Sequence, residues 1–187
     1  RLDQWFTYLE SLKKRYQSEL GGGKNSFSLS IDLPLSLALN HPRFSQECLQ
    51  SLHEFVGAHR LDPKTICLEI DEHWLSQSTA LLGDLLTKIR ASHYSLCLDH
   101  YGRAQSRLHS QSEYSFDRVK IAASLCEQLT REPKAATQIR AILAVAQELG
   151  QSPMALLPAS QQGALENLQA KLQAIACPLY QEPFTKD

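Results

Sequence analysis

The sequence predicts an α/β fold built on parallel strands. Short apolar runs alternate with amphipathic stretches of helix length, and three of those runs end in ionisable residues: Leu68-Glu69-Ile70-Asp71-Glu72, Leu96-Cys97-Leu98-Asp99-His100-Tyr101-Gly102 and Phe116-Asp117-Arg118-Val119-Lys120-Ile121. Strands separated by helical crossovers pair in parallel through right-handed connections. An open doubly wound sheet and a closed barrel both satisfy that pattern. No GxGxxG follows any strand, which counts against the nucleotide-binding open sheet.

Taken in order, residues 2 to about 19 carry Leu2, Trp5, Phe6, Leu9, Leu12 and Tyr16 at spacings of three and four, the stripe of an amphipathic helix. Gly21-Gly22-Gly23 stops it. The triplet follows a helix rather than a strand, so it lacks the setting of a phosphate-binding loop. Phe27 to Leu33 alternates apolar and polar residues as a strand does. A loop holding Pro34 and Pro42 leads to a helix from about Ser45 to Ala58. A strand over Thr65–Ile70, a helix over about Leu75–Arg90 and a strand over Ser95–Leu98 follow. Gly102 opens a connection with a short helix, ahead of a strand over Phe116–Ile121. A long helix over about Lys134–Leu149 halts at Gly150. An apolar run at Met154–Leu157, a helix from about Ser160 to Ala174 and a strand at Cys177–Tyr180 complete the pattern.

At 187 residues the chain is long enough for one domain with a substantial core, and we read residues 1–187 as that single domain. A formal charge of −1 and the lack of a basic run argue against direct nucleic-acid binding. Lys13-Lys14-Arg15 lies on a helical pattern and reads as a solvated face. Five cysteines with no CxxC pair point to reduced thiols and a cytoplasmic setting, not to a disulfide framework or a zinc site. No apolar run is long enough to span a bilayer, so no membrane contact is expected from this domain.

In a β/α barrel the active residues sit at the C-terminal ends of the strands. Those positions here are Asp32, Glu69, Asp99, His100, Lys120, Leu156 and Gln181. Three carboxylates and a histidine converging on one mouth suit a hard divalent cation, and a lysine there could neutralise a phosphate. Carboxylates at strand ends also cap the next helix, and Tyr101-Gly102 reads equally as a turn. His53, His59, His73, His93 and His109 lie among polar residues and read as surface groups.

At these residues the chain resembles the EAL domain, the bacterial fold that hydrolyses cyclic di-GMP. Leu2-Asp3-Gln4-Trp5 is similar to the family's "LDRW" and Ser30-Ile31-Asp32-Leu33 to its "VNLS". Leu68 to Glu72 is similar to "FELTE", Leu98 to Gly102 to "LDDFG" and Ser106-Arg107-Leu108 to "SSL". Phe116 to Ile121 is similar to "VDTLKID", and Cys177 to Gln181 to "CDYVQ". The resemblance implies a TIM-like (β/α) barrel of the EAL type. The Glu-Ala-Leu strand is absent, so the barrel is expected to be incomplete, lacking its first strand or strands. Upstream sequence would then supply the missing part, or the barrel would stay open with its edges covered by a second copy, a dimer.

The departures from the pattern direct the functional expectation. The resemblance implies metal-ligand positions at Asp32, Glu69 and Asp99. The second Asp of "LDDFG" is His100, the Asp after Lys-Ile is Ala122, and the "AEGVE" segment falls on Ala155-Leu156-Leu157-Pro158-Ala159 with neither glutamate. Two-metal hydrolysis needs enough anionic oxygen to hold two cations about 3.5–4 Å apart. Asp32, Glu69, Asp99, His100, Lys120 and Gln181 are therefore expected to be remnants of a site, with no functional catalytic residue and no required cofactor. Mg²⁺ or Mn²⁺ would serve only residual phosphodiesterase activity. The expected role is regulatory, through contact with a protein partner in bacterial signalling. The alternative is a cyclic di-GMP receptor that does not cut, with Lys120, Gln181 and Arg103 on the ligand.

Overall fold

The computed structural model describes residues 7–9, 11, 29–33, 35–40, 42–75, 80–103, 114–157, 162–177 and 180–181. Residues 7–9 and 11 are helical, as the stripe predicts, while Gly21-Gly22-Gly23, the short helix expected after Gly102, and Pro158 lie outside the described residues. The described elements, in chain order, are β1 (Leu29–Asp32), α1 (Leu35–Asn40), α2 (Pro42–Ala58), a 3-10 turn (Pro63–Thr65), β2 (Ile66–Asp71), α3 (Glu72–Leu75), α4 (Ala80–Ala91), β3 (Ser95–Tyr101), β4 (Arg118–Ile121), α5 (Ala123–Gln128), α6 (Pro133–Glu148), β5 (Ser152–Leu156), α7 (Gln162–Ala174) and β6 (Tyr180–Gln181).

The strands are hydrogen-bonded neighbours in chain order, β1 to β6. β3–β4, β4–β5 and β5–β6 are parallel, the pairing that helical crossovers require. β2 is buried over Ile66 to Ile70, the near-continuous burial of a strand covered on both faces.

The chain divides into two compact units. One comprises Arg1–Leu68 and Ser78–Ser95, the other Glu69–Gln77 and Leu96–Asp187. In the first, the apolar stripe of α2 (Cys48, Leu49, Leu52, Phe55, Val56) and that of α4 (Leu82, Leu85, Leu86, Ile89) are buried, and the two helices pack together. Tyr94, 1% exposed, lies beside the His53 ring at 5.4 Å between centroids. In the second, Leu96, Leu98, Tyr101, Val119, Ile121 and Ala155 come from the strands, and Leu125, Cys126, Ile139, Ile142, Ala146, Leu168 and Leu172 from the helices.

Three short helices depart from the expectation. α1 lies between the prolines that read as a loop, α3 follows β2 directly, and α5 follows β4. Each spans six residues or fewer, too few for a 3.6-residue period to show. Pro42 opens α2 because a proline at the first helical position gives up an N–H that would be unpaired anyway. α3 is started by Asp71, whose Oδ1 accepts the His73 N–H at 2.8 Å. β3 also runs three residues further than Leu98, so Tyr101 belongs to the strand and only Gly102 (φ +91°) makes the turn.

Candidate functional site

Within the second unit, β2, β3 and β4 bring Glu69, Asp71, Asp99, His100 and Lys120 together at their C-terminal halves. Side chains alternate along a strand, which sets Glu69 and Asp71 on one face of β2, opposite the core residue Ile70. Alternation likewise separates Lys120 from Val119 and Ile121 on β4.

β3 departs from regular alternation where the site lies. Leu98 pairs with Val119 and Tyr101 with Ile121, so three steps along β3 match two along β4. The extra residue is a bulge holding Asp99 and His100. His100 has φ 55°, the left-handed region that only a few per cent of non-glycine residues adopt. The bulge folds Asp99 onto its successor: Asp99 Oδ1 accepts the His100 backbone N–H at 2.8 Å. Nδ1 of His100 stands 3.0 Å from Asp99 Oδ2 and 3.4 Å from Asp71 Oδ2, shut off from solvent and out of line for a hydrogen bond.

Lys120 reaches past β3 to Glu69, with Nζ donating to Oε1 at 2.5 Å. Both side chains are buried, at 10% and 6% exposure. Burial alone would drive the lysine toward its neutral form, but the hydrogen bond to Glu69 and the charges of Glu69 and Asp99 outweigh it and hold its pKa above the ordinary lysine value. Burial raises the Asp99 carboxyl above its ordinary value; His100 and Lys120 pull it down and Glu69 pushes it further up, leaving a net rise.

The loop after β3 is tied back to β2. Glu72, 7% exposed, accepts the Gly102 N–H at 3.1 Å. A Cβ on Gly102 would lie 2.6 Å from Leu125 Cδ2, which with the positive φ explains the glycine. Arg103 is 64% exposed and its Nη1 lies 3.8 Å from Asp71 Oδ2.

The remaining expected positions lie on other elements. Asp32 ends β1 in the first unit and is exposed. Leu156 ends β5, half-buried, with Gln181 of β6 as its backbone partner. Ala122 is buried before α5 and donates its N–H to Tyr101 O at 2.9 Å. Asp71 and Glu72 were not singled out from the sequence, although the period of two places Asp71 on the face of Glu69 and so could have found it.

The family model of the EAL domain matches residues 1–164. The cyclic di-GMP phosphodiesterase RocR of Pseudomonas aeruginosa is 29% identical over 122 residues, which are 63% of this chain and 31% of that protein. An uncharacterized signaling protein of Caulobacter vibrioides is 29% identical over 119 residues, 62% of this chain and 15% of its own length. The chain thus spans a third or less of these curated relatives. Among solved structures, the Klebsiella pneumoniae BlrP1 complex with manganese and cyclic di-GMP superposes with a TM-score of 0.78 at 19% identity, covering 97% of this chain and 44% of that one. The EAL domain of Mycobacterium smegmatis DcpA gives 0.70 at 24% identity, covering 90% and 70%. These likenesses bear out the parallel-sheet α/β fold of the EAL type and are consistent with the incomplete TIM-like barrel expected from the sequence. With the family model matching most of its length, the chain belongs to the EAL domain family.

Proposed function

We propose that this chain is an EAL domain without efficient phosphodiesterase activity, one that works in cyclic di-GMP signalling as a regulatory module through contact with a protein partner. The observation that carries the reading is the state of the carboxylates at the ends of β2 and β3. Glu69 is held by the Lys120 ammonium, and both oxygens of Asp99 are faced by atoms of His100. Leu156 and Ala122 offer no charge where the resemblance places acidic residues.

These residues do not fit a pair of divalent cations. A metal pair that turns water into a nucleophile needs several anionic oxygens open to it. Of the buried carboxylates at the expected ligand positions, Glu69 is neutralised internally and Asp99 is already pushed toward its protonated form by burial. A scaffold that keeps its strands and helices but gives up this charge is suited to recognition rather than hydrolysis.

The test is incubation of the protein with cyclic di-GMP and Mn²⁺, followed by chromatography of the nucleotide. We expect no linear dinucleotide above the level of a Glu69→Ala control. Product that depends on Glu69 would overturn the reading. Capture from lysate, read by mass spectrometry, then identifies the protein partner.

A second reading, a non-hydrolysing receptor for cyclic di-GMP, is favoured by the exposed Arg103 guanidinium beside the same strand ends. Solved relatives of the same fold are complexes with that dinucleotide. Calorimetric titration decides it: saturable binding lost in Arg103→Ala supports the receptor, and no heat at high ligand concentration removes it.

A further inference from the structure

We propose that His100 is a resident plug that shuts divalent cations out of the strand-end carboxylates, its ring standing against both Asp99 and Asp71. This deepens the non-catalytic reading above and rests on it. The bulge in β3 lets residue 100 engage Asp99 twice: its backbone N–H bonds Oδ1 at 2.8 Å, and its Nδ1 faces Oδ2 at 3.0 Å. A Mg²⁺ or Mn²⁺ ion would have to sit about 2.0–2.2 Å from such an oxygen. It could reach Oδ2 on the imidazole side only by displacing the ring. Asp71 Oδ2 lies beside the same ring nitrogen at 3.4 Å.

Asp71 itself is committed elsewhere. Its Oδ1 takes the His73 N–H, and Arg103 lies 3.8 Å from its Oδ2. Glu69 is on Lys120 and Glu72 on the Gly102 N–H. Each of the four carboxylates at the ends of β2 and β3 therefore has an internal partner, and His100 serves two of them. A neutral or charged imidazole occupies the same space, so the exclusion does not depend on its protonation.

The experiment is uptake of Mn²⁺ alone by the full chain, with the free aqueous ion followed by electron paramagnetic resonance. His100→Asp exchanges the imidazole for an oxygen donor, and His100→Asn removes the ring with a residue that tolerates the left-handed backbone. We expect Mn²⁺ to bind His100→Asp at least about tenfold more tightly than the unaltered chain, a difference of about 1.4 kcal/mol. A smaller gain is expected for His100→Asn, and Asp99→Asn added to His100→Asp abolishes the gain. Melting followed by circular dichroism establishes that each variant is folded; if His100→Asp does not fold, His100→Asn decides. Equal uptake by the unaltered chain and the folded variants overturns the proposal. If the unaltered chain binds Mn²⁺ tightly yet forms no linear dinucleotide, this proposal falls and the functional reading stands; product formation sinks the functional reading.

Discussion

Lys120 and Glu69 form a buried ion pair whose two halves depend on each other. Breaking such a pair from one side leaves a charge without water or partner, which costs about 3–5 kcal/mol, whereas replacing both members by apolar groups of similar volume is often neutral or better. Lys120→Met should therefore lower the unfolding free energy by about 3–5 kcal/mol in urea titrations, and Lys120→Met with Glu69→Met should recover most of the loss. A single variant as stable as the parent would mean that the pair is not formed. At Gly102, an alanine meets both a left-handed φ and Leu125, so Gly102→Ala should cost about 2 kcal/mol by the same titration. These residues differ in how far the sequence disclosed them. Glu69, Asp99 and Lys120 were legible because each ends an apolar run. The double engagement of Asp99 by His100 was not, because a one-residue bulge leaves no mark on hydrophobic alternation. Asp71 was legible in principle from the period of two, yet it sat next to a stronger candidate.

At the level of elements, the long helices and the strand order were readable, and the helix ends were not. Sequence signals name Gly150 as a stop, and it does end α6: its φ is +66° and Gln151 N–H returns to Ala146 O at 2.8 Å. α2, α4 and α7 end through the same left-handed device at Arg60 (φ 52°), His93 (φ 63°) and Ala176 (φ 58°), none of which is a glycine. After α2, Leu61 N–H returns to Val56 O at 3.0 Å, and after α7 Cys177 N–H returns to Leu172 O at the same distance. The backbone bonds that close the turn, and the burial of Cys177 just beyond it, outweigh a local penalty that no propensity scale could foresee. The penalty is measurable. A left-handed residue with a Cβ costs about 1–2 kcal/mol, so Ala176→Gly should stabilise the protein by about 1 kcal/mol, less the extra entropy of an unfolded glycine. Gly150→Ala should destabilise by a similar amount, since a Cβ there meets nothing within 4 Å and the backbone alone sets the cost. Opposite signs in paired urea melts support this account; equal signs defeat it.

For the molecule as a whole, the burial that makes the core also makes stability depend on alkaline pH. Burial pushes the Cys126 thiol from 9.0 up to about 12, helped by the neighbouring Cys177, and burial with the charge of Glu47 does the same for Cys48. Burial raises the Tyr94 phenol from 10.0 to about 12, and burial with the charge of Glu72 raises that of Tyr101 equally. Well below pH 9 all four hold their protons in folded and unfolded chains alike, so they add no slope there. Between pH 9 and 12 the unfolded chain releases protons that the folded chain keeps, so stability falls as pH rises. Lys120 adds to the fall from the other side: its folded pKa lies above 10.5, so the stability it contributes is present below that value and lost as pH climbs through the raised one. Each tenfold difference in proton affinity between the folded and unfolded chains is worth about 1.4 kcal/mol. The combined loss is on the order of several kcal/mol, enough to unfold a marginally stable domain. Urea titrations at pH 8, 9, 10 and 11 should show a plateau and then a steepening decline, and Cys126→Ala should make that decline shallower even if its cavity lowers stability at pH 8. A flat profile to pH 11 would mean that these groups reach solvent in the folded protein, and the core described for both units would then be wrong at the residues concerned.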